Sequence, residues 1–177
     1  MLWIAGLAVA QICVAATAEY RVKAAFLYKF ATYIRWPAAT SGTPATTFVI
    51  GILGSDPFGA SLDDVVRDQT VQGRAIRITR LTRQEDALAC DLVFVASSEE
   101  ANLGKILAFL KEAPVLTVSD VDQFAEKGGM IGLVTTDDNR IRFDINKAVL
   151  ERAGLKASSQ LLQLARIVDD PRTRRPR

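Results

Sequence analysis

The sequence contains no histidine and only two cysteines among its 177 residues. The missing histidine excludes acid–base relays and metal sites that depend on an imidazole. Two cysteines are too few for a cysteine-ligated zinc or iron–sulfur centre. No histidine base is present to activate a serine nucleophile either. The sequence therefore predicts no catalytic residues, no metal site and no cofactor.

Residues 1–18 carry no charged side chain and are almost wholly apolar, as the core of an export signal is. The basic residues that usually begin such a signal are missing. Ala16-Thr17-Ala18 supplies the small residues that a signal peptidase needs, directly before Glu19. We therefore predict a cleaved signal peptide over 1–18 and an exported mature chain; an uncleaved anchor is the alternative. No later segment is long enough to span a bilayer.

Signal cleavage would leave Cys90 as the only cysteine of the mature chain, so no internal disulfide is expected. Cys90 comes just before the apolar run Leu92–Val95, which favours a buried thiol. Pairing with a second chain is the alternative.

The net charge of +2 comes from an arginine-rich end, which we predict to be a disordered tail over 171–177. The predicted domain, residues 19–170, carries 18 basic and 20 acidic side chains and a net charge of −2. A mildly acidic domain argues against nucleic acid as a partner.

Hydrophobic periodicity predicts one compact α/β or α+β domain, with a mostly buried mixed sheet of about six strands flanked by helices. The strands are expected near 48–54, 74–81, 92–96, 115–118, 130–134 and 141–145, and the helices near 20–36, 61–66, 102–110, 147–153 and 159–168. Ser61 with Asp64 resembles a capping box, and Ser158 or Ser159 is expected to cap the last helix.

The stretch 128–168 is expected to form a hairpin that leads into two helices. In its second strand Ile141, Phe143 and Ile145 alternate with polar residues, including Asp144 and Asn146, which predicts one buried face. Leu164 is expected on the core side of the last helix. Gly128-Gly129 is expected to allow a close backbone approach.

The glycines of residues 51–59 invite comparison with nucleotide-binding loops. Their spacing differs from the dinucleotide fingerprint, and no Gly-Lys-Ser/Thr follows. An ordinary strand–turn–helix is the interpretation that we adopt.

Six of the thirteen aromatic residues lie between 20 and 36. One narrow buried stripe cannot hide all of them, so the segment is either a helix buried on two sides or a partner surface. The predicted partner-binding residues are Phe26, Tyr28, Phe30, Tyr33 and Trp36.

Polar residues also follow three predicted strands directly. If the strands are parallel, these residues meet at one edge of the sheet, where open α/β sheets bind ligands. The predicted ligand-binding residues are Ser55, Asp56, Ser97, Ser98, Ser119 and Asp120; capping of helices and turns is the alternative interpretation.

Seven blocks, in order, resemble the YfiR-like family of periplasmic regulators of diguanylate cyclase signalling. They are KAAFLYKFATYIRWP at 23–37, FVIGILGSDPFG at 48–59, VQGRAIRITRL at 71–81, CDLVFVASSE at 90–99, PVLTVSD at 114–120, FAEKGGMIGLV at 124–134 and RIRFDINKAVLERAGLKASSQLLQLARIV at 140–168.

The resemblance implies a periplasmic, non-enzymatic homodimer. Such a protein represses the periplasmic sensory part of an inner-membrane diguanylate cyclase, lowers cyclic-di-GMP and restrains biofilm formation. An outer-membrane-associated lipoprotein would sequester the repressor. Paired cysteines known in the family are absent here, where Cys90 stands alone in the mature chain. The alternative function is a periplasmic small-molecule binding protein that uses the polar residues at the strand ends.

Overall fold

The computed structural model describes residues 5–37 and 46–169. They form one mixed α/β domain with a central sheet of eight strands flanked by helices. The predicted fold class is therefore confirmed, with more strands than the six expected. The helices are α1 Ala5–Tyr33, α2 Ala60–Val66, α3 Leu103–Leu110, α4 Lys147–Arg152 and α5 Ser159–Leu164, with 3₁₀ helices at Gln84–Ala89 and Ser97–Asn102.

Two sheets contain ten strands within the described part of the chain. The strands are β1 Ile34–Arg35, β2 Thr47–Leu53, β3 Thr70–Val71, β4 Arg74–Leu81, β5 Leu92–Val95, β6 Leu116–Ser119, β7 Ile131–Thr135, β8 Ile141–Asn146, β9 Lys156–Ala157 and β10 Arg166–Val168. The large sheet has the order β10-β8-β7-β6-β5-β2-β4-β3, and β1 pairs with β9 separately. The extra strands are two or three residues long, too short to show a period in the sequence.

The centre of the large sheet is parallel. Strands β4, β2, β5, β6 and β7 run in one direction, whereas β8 is antiparallel to β7. Among the parallel strands the chain first steps from β2 to β4 on one side and then crosses to β5 on the other. This reversal beside β2 is the kind of switch point where doubly wound sheets hold ligands.

Both faces of the central strands are buried, as their continuous apolar runs predict. In β2, Phe48, Ile50 and Ile52 belong to the core under α1, whereas Val49 and Leu53 belong to the core under α3. The alternation follows from the period of two in a strand, which sends successive side chains to opposite faces. The sheet is therefore the middle layer of three.

Helix α1 is a single element of 29 residues that runs through the predicted signal-peptide boundary. It ends at Tyr33 rather than near Pro37, because the chain turns into β1, which pairs with β9. Its core side carries Ala24, Leu27 and Phe30, all fully buried. Among the described residues, none of the helices combines the length and the hydropathy that a membrane span requires.

The hairpin is confirmed, with Leu133 of β7 opposite Phe143 of β8. The prediction that its second strand buries one face is wrong, because Asp144 and Asn146 are buried as well. Asp144 receives a bidentate ion pair from Arg166 of β10, with the Nε–Oδ1 contact at 2.8 Å. The Asn146 amide donates to the Ala125 carbonyl at 2.9 Å.

Helix boundaries confirm some predictions and correct others. Ser158 Oγ accepts from the Leu161 N–H and caps α5 as predicted. The predicted capping box at Ser61 is wrong. Helix α2 begins at Ala60, so the N-cap position belongs to Gly59, whose φ is 53°. Leu164 is 73% exposed instead of facing the core, since α5 is short and β10 follows almost at once.

Cys90 is buried, with 7% of its surface exposed, as predicted. Burial raises the pKa of its thiol to about 11, and the neighbouring Asp91 charge acts in the same direction. The thiol is therefore protonated at neutral pH and is a poor nucleophile.

Candidate functional site

The three strands that precede the predicted polar cluster are parallel, as the ligand hypothesis requires. Their carboxyl ends therefore lie at one edge of the sheet. At the switch point, the Ser55 N–H donates to Ser98 Oγ at 2.9 Å. Asp56 accepts from the Phe58 N–H at 2.8 Å and from Arg80 Nε at 2.9 Å. These hydrogen bonds fasten the loop after β2, which is a structural task.

Ser119 is buried and takes part in internal hydrogen bonds. Its side chain is fully buried, and its hydroxyl donates to the Val95 carbonyl at 2.7 Å. The same oxygen accepts from the Val121 N–H at 3.0 Å. Ser119 therefore fixes the turn after β6 and is not available to a ligand in this fold, whereas Ser97 is exposed.

Asp120 differs from the other members of the cluster because it meets helix α1. Its Oδ2 atom accepts from Tyr20 Oη at 2.7 Å and lies 2.6 Å from Lys23 Nζ. Lys23 also lies 2.7 Å from the Glu19 carboxylate, one helical turn back. We call Glu19, Tyr20, Lys23 and Asp120 the Lys23 cluster.

Lys23 is only 4% exposed, which is unusual for a lysine and is explained by its two carboxylate partners. Its Nζ atom also lies over the Tyr20 ring, 4.5 Å from the ring centre. Sequence reasoning missed the residue, because a lysine on a helix is usually solvated. The one available signal was the spacing of Glu19 and Lys23, which puts opposite charges one turn apart.

Two pKa shifts follow from this arrangement. The hydrogen bond from Lys23 lowers the pKa of Glu19, so that carboxylate is ionised at neutral pH. Burial raises the pKa of Tyr20, and its hydrogen bond to the Asp120 carboxylate raises it further. Tyr20 therefore stays a neutral hydrogen-bond donor.

The Lys23 cluster borders a cleft of about 310 Å³ between α1 and the ends of β6 and β7. Its ionisable lining residues are Glu19, Lys23, Asp120, Asp122 and Asp144. A second cleft of about 710 Å³ adjoins it, and both clefts are lined by Glu19 and Thr135. Thr135 Oγ1 donates to the Glu19 carboxylate at 2.8 Å, and this hydrogen bond links β7 to α1 where the two clefts meet.

The predicted aromatic partner surface is mostly occupied with internal packing. Phe30 is fully buried, with its ring centre 5.1 Å from that of Phe143, so its assignment as a partner-binding residue is wrong. The other four assigned residues are half-buried and pack on the core: Phe26, Tyr28, Tyr33 and Trp36. Trp36 also donates to the Asp91 carbonyl at 3.2 Å.

The structure adds exposed apolar side chains that the sequence did not single out. Val22 of α1 is 47% exposed, and Leu164 and Ile167, near the sheet edge at β10, are 73% and 47% exposed. Leu88 and Phe109 are exposed on the side covered by α3. Within the described ranges, no group of three or more histidine, cysteine or acidic side chains could hold a metal ion.

Two solved structures share part of this architecture. A conserved domain protein from Vibrio cholerae O1 biovar El Tor aligns with a TM-score of 0.50 and 12% identity, over 67% of this chain and 54% of that chain. An ABC domain in complex with L-Trp from Streptococcus pneumoniae aligns with a TM-score of 0.49 and 10% identity, over 68% and 55% of the two chains. The chain thus spans about half the length of either protein. At this identity the Vibrio protein supports the α/β fold alone.

A search of curated proteins gives no significant match. The sequence profile of the YfiR/HmsC-like family, in contrast, matches residues 20–166, nearly the whole described domain. On that match, the chain belongs to the YfiR/HmsC-like family, which is typically periplasmic and is associated with regulation of cyclic-di-GMP signalling.

Proposed function

We propose that this protein is an exported, non-enzymatic repressor that binds the periplasmic sensory part of an inner-membrane diguanylate cyclase. The observation that carries the proposal is the family match over residues 20–166. Cyclase repression would lower cyclic-di-GMP and restrain biofilm formation.

Features of the domain support an interaction role over catalysis. The polar residues at the switch point are engaged in hydrogen bonds that hold loops together. Lys23 is held between two carboxylates and is therefore not a free nucleophile. Exposed apolar side chains, in contrast, are present on both sides of the sheet.

We place the partner surface on the outer side of α1, with Tyr28 at its centre. The outward stripe of the helix includes Val22, Lys29 and Thr32, all exposed. Half-buried Tyr28 adjoins this stripe, so its ring can contact core and partner together. An aromatic side chain in this setting suits an interface hot spot.

A binding assay tests this surface. The mature chain would be titrated onto the purified periplasmic part of the cognate cyclase, and the affinity measured by calorimetry. We expect Tyr28→Ser and Val22→Ser to weaken binding about tenfold or more, at the scale of hot-spot truncations. Phe109→Ser, an exposed apolar position on the opposite side of the sheet, is the matched control. Equal losses at all three positions would contradict the assigned surface.

Export is part of the proposal. We expect the mature protein to begin at or near Glu19, because Ala16-Thr17-Ala18 precedes it. Intact-mass spectrometry of the periplasmic fraction measures this directly. Recovery of only the full-length chain from membranes would favour an uncleaved anchor.

Two further partners belong to the same proposal. A homodimer is checked by light scattering on the purified mature chain. Sequestration by an outer-membrane-associated lipoprotein is checked by capture from envelope extract, in which the lipoprotein should be recovered with the repressor. The predicted disordered tail over 171–177 lies outside the described residues.

The alternative, small-molecule binding at the strand ends, has several of its assigned residues in internal hydrogen bonds. Asp56, Ser98 and Ser119 each accept a loop or turn N–H with a side-chain oxygen, whereas Ser55 contributes only its backbone N–H. The Oδ2 atom of Asp120 is engaged by Tyr20 and Lys23.

A further inference from the structure

Strand β4 has an open edge over most of its length. It pairs with β2 from Ala75 to Leu81, whereas on its other side β3 covers only Arg74 and Ala75. Residues 76–81 therefore have no strand partner on that side within the described part of the chain. At the far edge of the same sheet, β10 is only three residues long. A longer open edge is a template for the addition of a strand from another chain.

Two hydrogen bonds show which backbone groups of β4 face the open side. The Ala75 N–H donates to the carbonyl of Thr46, just before β2, at 3.2 Å. The Leu81 carbonyl accepts from the N–H of Gly54, just after β2, at 3.3 Å. Peptide groups alternate between the two sides of a strand, so the residues between Ala75 and Leu81 follow the same alternation. The residues whose N–H and carbonyl groups face away from β2 are Ile76, Ile78 and Arg80.

A groove of about 450 Å³ lies beside this edge, between β4 and the end of α2. Its apolar lining includes Val66 of α2 and Ile76 and Ile78 of β4. The two isoleucines are half-buried and pack on the core, so part of each side chain is still open to solvent. A strand added to β4 would direct every second side chain towards this groove. Apolar side chains suit those positions, because they would cover the exposed part of the isoleucines.

The charge of β4 is positive, because the strand contains three arginines and no acidic residue. Arg74 and Arg80 form ion pairs with carboxylates of the domain. Arg77 is exposed and makes no ion pair with any described residue. It lies opposite Val49, on the face of the sheet away from Ile76 and Ile78. An acidic side chain on that face of an added strand would pair with Arg77.

These charges distinguish a second copy of this chain from a different partner. Two β4 strands placed edge to edge would bring positive charges together with no acidic residue between them, which is unfavourable. Residues 1–4 and 38–45, outside the described ranges, carry no acidic side chain, and residues 170–177 carry four arginines and one aspartate. The occupant that the charges favour is therefore an acidic segment of another protein.

We propose that β4 binds an extended segment of another protein by strand addition, with apolar side chains in the groove and acidic side chains beside Arg77. Backbone hydrogen bonds to Ile76, Ile78 and Arg80 supply affinity, and the alternation of side chains supplies specificity. This edge is separate from the surface that we place on α1. The proposal goes beyond cyclase repression and does not depend on it.

Binding of a short peptide to the full mature chain tests the proposal. The probe is the heptapeptide VEVEVEV, labelled with a fluorophore at one end and amidated at the other, and binding is measured by fluorescence anisotropy at constant ionic strength. The peptide VKVKVKV has the same pattern with the opposite charge. We expect saturable binding of VEVEVEV, at least tenfold tighter than that of VKVKVKV.

N-methylation of the probe tests whether its backbone takes part. In an added strand the N–H groups point alternately towards β4 and towards solvent. One probe is methylated at every valine nitrogen and another at every glutamate nitrogen. We expect one of the two to lose binding at least tenfold and the other to keep it. These controls leave the protein unchanged, so folding does not affect their outcome.

A reversal of charge on the protein locates the site. Arg77→Glu should weaken binding of VEVEVEV about tenfold or more and strengthen binding of VKVKVKV. Arg21→Glu is the matched control, because Arg21 is an exposed arginine on α1 and does not line the groove. A reversed preference cannot result from loss of folding, because an unfolded chain would lose both peptides.

Saturable binding of VEVEVEV, loss with one methylated probe and a reversed preference in Arg77→Glu support the proposal. It is overturned if VEVEVEV does not bind, if both methylated probes bind as tightly as the parent peptide, or if Arg21→Glu has the same effect as Arg77→Glu. Light scattering adds one further outcome. A dimer that dissociates when the probe is added would show that a second copy occupies this edge, which also overturns the proposal.

Discussion

Lys23 and Asp120 are 97 positions apart in the sequence, yet their charged atoms lie 2.6 Å apart. Asp120 is the first residue after β6, and Lys23 is four residues beyond Glu19 on α1. This ion pair therefore fixes α1, at a point within the helix, to the end of a central strand.

Removal of the Lys23 ammonium should destabilise the fold strongly. Lys23→Met leaves the buried Asp120 carboxylate without its cation, which costs about 3–5 kcal/mol in comparable buried pairs. Because Glu19 is partly exposed, we expect the lower part of that range. Lys29→Met, at an exposed position on the same helix, is the matched control and should change the free energy of unfolding by less than about 0.5 kcal/mol. Equal denaturant midpoints for the two variants would show that the ion pair is not stabilising.

The Cys90 thiol should react slowly at neutral pH. Its pKa of about 11 in the folded state exceeds the usual 9.0, so thiolate is scarce below pH 9 and increases towards pH 11. A raised thiol pKa contributes stability that is present below pH 9 and lost as the pH rises towards 11. Labelling with a thiol reagent across this pH range measures the effect, with the protein unfolded in guanidinium as the control.

Cys90→Ala should cost only about 1 kcal/mol of stability, since one small side-chain atom is lost. Rapid labelling of the native protein at pH 8, or a disulfide-linked dimer on a non-reducing gel, would contradict the description of Cys90 as buried and inert.

Gly129 should not tolerate a side chain. A Cβ atom there would lie 2.1 Å from the Phe124 ring, far inside contact distance. The sequence indicated the close approach, but the obstacle is this ring; the positive φ of 103° belongs to Gly128 instead. We expect Gly129→Val to destabilise the protein by about 1–3 kcal/mol and to lower its melting temperature by several degrees.

Gly104→Ala is the control for that measurement, because nothing lies within 4 Å of the added Cβ in helix α3. It should be neutral or stabilising by up to about 1 kcal/mol, since alanine favours a helix over glycine. A melting curve of Gly129→Val that matches the wild type would refute the steric account.

The sequence predicts the elements whose signals are local. In β2 and β5 a continuous apolar run is enough to indicate burial on both faces, and both faces are buried. Ser158 caps α5 through a hydrogen bond to Leu161, only three positions further along the chain, so the cap could be predicted from the sequence.

Long-range pairing could not be read in the same way. Asp144 looks solvent-facing in an alternating strand, and only its ion pair with Arg166, on a strand 22 residues later, makes its burial tolerable. Asp120 is similar: its place after an apolar strand was visible, whereas its contact with Lys23 depends on how α1 crosses the sheet. Leu164 shows the reverse error, because a helix of six residues cannot bury a full apolar stripe.

Cellular cyclic-di-GMP, compared between single and double deletion strains, tests the proposed function most directly. We expect loss of this protein to raise cyclic-di-GMP and surface attachment, and the rise to vanish when the cognate cyclase is deleted as well. Tyr28→Ser should reproduce the rise while the protein stays folded, and Phe109→Ser should not. An unchanged cyclic-di-GMP level in the single deletion under inducing envelope conditions would contradict the repressor function.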